Sequence, residues 1–186
     1  MAIATKGLTL EEFLLLPDEE PPLEYVDGEV TQKVSPQGKH GVLQFEIARL
    51  LDSLARIGNR ARILTELRST YARASTVPDI SVYLRQRVPR DSSGEVANRF
   101  TDPPDLAVEI VSPEQSVNAL VRRCLWYVAN ATSIALLVDP DDKSIVLFRP
   151  NQAPVALRGG DRINLDEVLT GSELTAAAIF ETLVLN

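Results

Sequence analysis

One cysteine, one histidine, one methionine and one tryptophan serve a chain of 186 residues, and several chemistries fall away with that scarcity. A lone cysteine, Cys124, excludes an internal disulfide framework and fits a reducing compartment. Cys124 and His40 together cannot make the four-ligand shell of a structural zinc site. A serine triad would have only His40 as its base, and no GxSxG elbow is present. The chain also lacks the phosphate-cradling GxxxxGK[ST] and the dinucleotide GxGxxG. No apolar run approaches the roughly 18 residues of a membrane span. The opening MAIATKGLTLEEF lacks the charged-then-apolar order of a signal peptide. The expectation is a cytoplasmic protein without a membrane partner, with residues 1–186 forming a single domain.

What is present is an ordinary globular composition, 45% apolar, with a formal net charge of −7. That sign argues against indiscriminate binding of nucleic acid, which draws on clustered Lys and Arg. The charge is unevenly spread, however. Between Arg49 and Arg90 nine arginines face only Asp52, Glu66 and Asp79, whereas the first thirty residues set eight acids against Lys6. Such polarity could define a phosphate-facing side, or equally a solvated surface with scattered arginines.

Taken in order, Thr9-Leu10-Glu11-Glu12 reads as a capping box opening a short helix to about Leu16. Leu23–Val34 reads as a hairpin turning at Asp27-Gly28, with Glu24 on its first arm. A long helix is expected from about Lys39 to Ile57, its stripe made by Leu43, Ile47, Leu50, Leu51, Leu54 and Ile57. His40 and Glu46 fall at the edges of that stripe. Strands follow at Ala61–Tyr71 and Val77–Leu84, with Asp79 one residue after Pro78. A second helix is expected from Glu114 to about Asn130, where Arg122 and Arg123 flank the apolar stripe at equal angles. Beyond it come a hairpin, Ser133–Val138 with Ser144–Arg149, a short strand near Arg162–Leu165 and an amphipathic end from Ser172 to Leu185.

The most informative stretch is PPDLAVEIVSP, Pro103–Pro113. Leu106, Val108 and Ile110 share one face, Asp105, Ala107 and Glu109 the other, and both faces are largely apolar, as in a central strand. Glu109 is costly to bury there unless it is paired, protonated or bound to a metal. Asp79 and Glu109 lie on the polar sides of neighbouring strands. Their oxygens suit a hard cation, Mg²⁺ or Mn²⁺, with the Ile110 carbonyl as a natural further ligand. A structural ion pair with an arginine is the alternative reading.

The order of LTLEEFLLLP, LEYVDGEV, SPQGKHGVL, VPDISV, PDLAVEIVSP, the Tyr127 helix, LLVDPDD and GSEL…IF resembles the Uma-two family of restriction-endonuclease-like domains, within the PD-(D/E)XK nuclease superfamily. The resemblance spans nearly the whole chain. It implies an α/β (α+β) fold, a mixed β-sheet flanked by helices with an N-terminal β-hairpin extension. It implies Mg²⁺-dependent phosphodiester hydrolysis with Asp79 and Glu109 as metal ligands, and it sets Glu24 and His40 near the site. The chain departs from the pattern at the lysine. Val111 stands at the position after Glu109-Ile110, and the position to which relatives move that lysine, on the following helix, is Arg123. Arginine keeps the charge but cannot transfer a proton. The expected function is a metal-dependent endonuclease with reduced or altered catalysis, DNA ranking before RNA as substrate. The rival is a catalytically degenerate module for binding or assembly. A homodimer joining two Arg49–Arg90 surfaces on a duplex is the expected assembly.

Overall fold

The computed structural model describes residues 7–113 and 115–185, so the reading of residues 1–6 as leaderless and the helix start at Glu114 lie outside the described residues. Helix α1, Leu10–Phe13, opens with the capping box expected of Thr9 and Glu12 and is shorter than the sequence suggests. Strands β1, Leu23–Val26, and β2, Glu29–Gln32, form the expected hairpin. Its turn takes Asp27 and Gly28 into the left-handed region, at φ of 51° and 82°. Helix α2, Gly38–Arg56, follows and buries His40, Leu43, Ile47, Leu51 and Ala55. Ile57, assigned to that stripe from sequence, is 67% exposed because the helix has already ended at Arg56.

The strand expected at Ala61–Tyr71 is two strands in different sheets: β3, Ala61–Thr65, and β4, Ser69–Tyr71. Glu66 breaks the run with a positive φ of 50°. Next come β5, Ala74–Thr76, which periodicity did not disclose, and β6, Ile80–Leu84, which starts three residues later than expected. Strand β7, Leu106–Ile110, leads to helix α3, Val117–Ala129, whose N-cap Ser116 accepts from Ala119 N–H. The hairpin β8, Ile134–Asp139, and β9, Ser144–Phe148, is as expected. Strand β10, Val155–Arg158, extends the sheet. The strand expected near Arg162–Leu165 is reduced to one bridge, Arg162 to Thr175, before helix α4, Ala176–Phe180.

Two sheets result. The smaller has the order β2-β1-β5-β4 and the larger β10-β9-β8-β7-β6-β3. Among the strands of the described residues only β7 and β8 pair in parallel, joined through α3 as a parallel crossover requires. Strand β7 is covered on both faces. Leu106, Val108 and Ile110 belong to the core with α2 and α4, while Ala107 packs with Cys124, Tyr127 and Val128 of α3. This is the mixed α+β architecture with flanking helices that the sequence implies. Its consequence for the site is positional: the starts of β6 and α2, the ends of β7 and the hairpin, and the middle of α3 meet at one end of the larger sheet.

Candidate active site

Strands β6 and β7 are antiparallel, with Ile80 opposite Val108. One step further in the same register sets Asp79 opposite Glu109. Both are buried, at 2% and 4% exposure. Asp79 Oδ2 accepts the Ile110 N–H at 2.7 Å, so Ile110 meets the aspartate through its amide. Asp79 Oδ1 faces His40 Nε2 at 3.5 Å and Lys33 Nζ at 2.7 Å. Burial opposes the ionisation of Asp79, but the imidazole and the ammonium outweigh it and hold its pKa below the usual carboxylate range.

Glu109 goes the other way. Its carboxyl is enclosed, and burial followed by the nearby Asp79 charge pushes its pKa up to about 8. The Tyr127 hydroxyl donates to its Oε1 at 2.6 Å, and burial and Glu109 keep that phenol protonated. Burial thus favours the neutral form of Glu109, the form this strand accommodates at least cost.

His40 is buried in the first turn of α2. Its Nδ1 lies 2.8 Å from the Ser112 hydroxyl, which orients the ring with Nε2 toward Asp79. Glu46, expected to look inward from the same helix, is half-buried and pairs with Arg49 at 2.7 Å. Glu24 is buried, because β1 also pairs with β5 and is internal to its sheet. Its Oε1 accepts the Val77 N–H at 2.7 Å and meets Arg123 Nη1 at 2.5 Å. The ambiguity between Arg122 and Arg123 is thereby resolved: Arg122 is exposed and Arg123 turns toward the sheet.

Sequence reasoning missed Lys33, Glu66 and Gln44. Lys33 follows β2 and is carried inward by the hairpin, its N–H bonded to the Pro22 carbonyl at 3.0 Å. Its ammonium donates to Asp79 Oδ1, to Glu66 Oε2 at 2.9 Å and to the Val77 carbonyl at 2.9 Å. Burial disfavours this charge, but Asp79, Glu109, Glu66 and Glu24 more than restore it and raise its pKa. Gln44 of α2 donates to Glu66 Oε1 at 2.6 Å and to the Asp79 carbonyl at 3.0 Å. No local pattern announces a lysine whose partners lie 33 and 46 residues away. Its place one residue past a hairpin strand, beside SPQGKHGVL, was the available signal.

An open cavity of about 480 Å³ borders this cluster, with Lys33, His40, Gln44, Glu66, Arg68 and Asp79 in its wall. Glu109 lies outside that wall. Among the described residues His40, Glu66 and Asp79 each offer a ligand atom, all within 4.8 Å of one another. Carboxylate oxygens with one imidazole fit Mg²⁺ or Mn²⁺, although the Lys33 ammonium engages the same two carboxylates.

The basic stretch does not form one face. Arg49 and Arg56 pair within α2 with Glu46 and Asp52, and Arg87 binds Asp105 at 2.5 Å. Arg62, Arg85 and Arg90 line a separate hollow beyond the far end of β6. Arg68 alone of the nine reaches the cavity beside Asp79.

Among the described residues no helix is long and apolar enough to cross a membrane. A comparison with curated proteins finds no match. Among solved structures the chain is similar to one described as "a putative nuclease belonging to DUF820" from Anabaena variabilis. The two are 36% identical and superpose with a TM-score of 0.92, over 96% of this chain and 100% of the other. The family model described as "Putative restriction endonuclease" matches residues 10–177, which cover hairpin, cavity and both strands of acids, and the chain belongs to that family, Uma2.

Proposed function

We propose that this protein is an endonuclease that hydrolyses phosphodiester bonds of nucleic acid, DNA ahead of RNA, with Mg²⁺ or Mn²⁺ as cofactor. The observation that carries the reading is the convergence of ligand atoms from His40, Glu66 and Asp79 at the wall of an open cavity, with buried Glu109 on the strand next to that of Asp79. Asp79, Glu109 and the Ile110 carbonyl would hold the ion, and His40 and Glu66, whose ligand atoms converge with that of Asp79, would complete its cavity side. A bound ion would polarise the phosphate and lower the pKa of the attacking water. The chain's own residues prepare for this. Ile110 N–H fixes one oxygen of Asp79 and Ser112 orients His40, while Glu109, whose neutral form burial favours, would have to be ionised to serve as a ligand. Arg123, held by Glu24, would stabilise charge on phosphate oxygens without transferring a proton.

The test is cleavage of DNA and RNA with Mg²⁺ or Mn²⁺ by the wild-type protein and by Asp79→Ala. Metal-dependent cleavage lost in the variant supports the reading, and equal cleavage by both removes it. A second reading, a nuclease fold retained for binding or assembly, is favoured by Val111 at the lysine position and by the engagement of Arg123 with Glu24. It predicts no Asp79-dependent heat on titration with Mn²⁺. We further propose that residues 1–186 act as one domain, that the protein works in the cytoplasm, and that it is a homodimer matched to the two-fold symmetry of duplex DNA.

A further inference from the structure

Lys33 touches two of the three side chains whose ligand atoms converge, Asp79 and Glu66. Its three ammonium protons are directed at Asp79 Oδ1, Glu66 Oε2 and the Val77 carbonyl, at 2.7, 2.9 and 2.9 Å. An ammonium has three donors and no more, so this contact set is complete. Two of the three acceptors belong to the carboxylates that, with His40, can converge on one ion. The lysine is itself largely buried, at 10% side-chain exposure, yet it forms part of the wall of the open cavity. Its four-carbon stem is flexible and the cavity it lines is open.

We propose that Lys33 is a tethered cation that fills the ion position in the resting protein and is displaced by the divalent metal. The inference rests on the metal-site reading given above and adds an exchange to it. Electrostatics supports exchange over coexistence. A divalent ion against Asp79 and Glu66 would sit within bonding distance of oxygens that the ammonium also touches, and two cations that close repel each other. The resting arrangement also answers a question raised by the sequence: buried Asp79 keeps a counter-charge before any metal arrives. Once displaced, the ammonium turns into the cavity, on the side from which a phosphate would approach, and so restores a lysine to a site whose strand has Val111 instead.

Calorimetric titration of the full chain with Mn²⁺, without nucleic acid and at one fixed pH, tests the exchange. Lys33→Met keeps the stem and removes the competitor, so it should bind Mn²⁺ at least about tenfold more tightly than wild type, with binding abolished by Asp79→Asn in either background. Equal or weaker binding by Lys33→Met, while Asp79 dependence persists, overturns the exchange and leaves the metal site standing. Absence of Asp79-dependent binding in both proteins overturns the metal site and the exchange together. Should Lys33→Met fail to fold, the wild-type protein still decides. Its Lys33 ammonium protons, sheltered by three hydrogen bonds, should give a resolved signal in nitrogen-detected lysine spectra that disappears on saturation with Mg²⁺. A signal unchanged at saturation contradicts displacement.

Discussion

Residue by residue, the site is a problem of charge balance among side chains that, Glu66 apart, are largely buried. Lys33 and Arg123 face Asp79, Glu66 and Glu24, and Glu109 is the acid left to take a proton. The sign of its effect on stability follows directly. A carboxyl raised from 4.5 to about 8 on folding contributes stability that is fully present below its unfolded pKa and is lost as pH rises through about 8. Without metal, thermal stability should fall from pH 5 to 8 through this group, and Glu109→Gln should flatten that fall. A slope unchanged in the variant would assign the effect elsewhere. Metal binding should show the matching sign: Mn²⁺ affinity rises with pH through the same window, and calorimetry in buffers of differing ionisation heat should report proton release. The pair between Glu24 and Arg123 makes a separate prediction. Arg123→Ala leaves a buried carboxylate without its partner and should cost about 3–5 kcal/mol in urea unfolding. Glu24→Gln with Arg123→Met should recover part of that loss.

At the scale of elements, the hairpin of β1 and β2 governs the site, since it delivers Glu24 from one arm and Lys33 just beyond the other. Its turn has Gly28 at φ 82°, with space around the position for a side chain, so Gly28→Ala meets backbone strain rather than a clash. A loss of about 1 kcal/mol is expected in urea unfolding, and a stabilised variant would refute the turn geometry. Much of this level was legible from sequence. Asp27-Gly28, the capping box and the central strand through Glu109 are local signals, written in adjacent residues. The small sheet was less so, because β4 and β5 have three residues each and cannot display an alternation. Periodicity also gave Arg122 and Arg123 equal angles, and only packing of α3 on β7 and β8 separates them. Lys33 was illegible for a deeper reason: its significance comes from Asp79 and Glu66, both distant in sequence, and nothing beside it marks it as buried.

Across the whole molecule, the acidic total and the scattered arginines describe how nucleic acid would be met. With Arg49, Arg56 and Arg87 bound to acids and Arg62, Arg85 and Arg90 remote from the cavity, few cations near Asp79 remain for phosphates. Binding to a duplex should therefore be weak, with a shallow dependence of affinity on salt measured by fluorescence anisotropy. A steep dependence would mean that a basic face assembles on dimerisation, and sedimentation would then detect the dimer. The proposed metal site requires Asp79 and Glu109 to hold one ion. Anomalous diffraction from crystals soaked in Mn²⁺ tests it most directly. The account predicts a single strong peak at bonding distance from both carboxylates, with the Lys33 ammonium moved off Asp79. A peak elsewhere, or none with Lys33 still on Asp79 at saturating Mn²⁺, would contradict it.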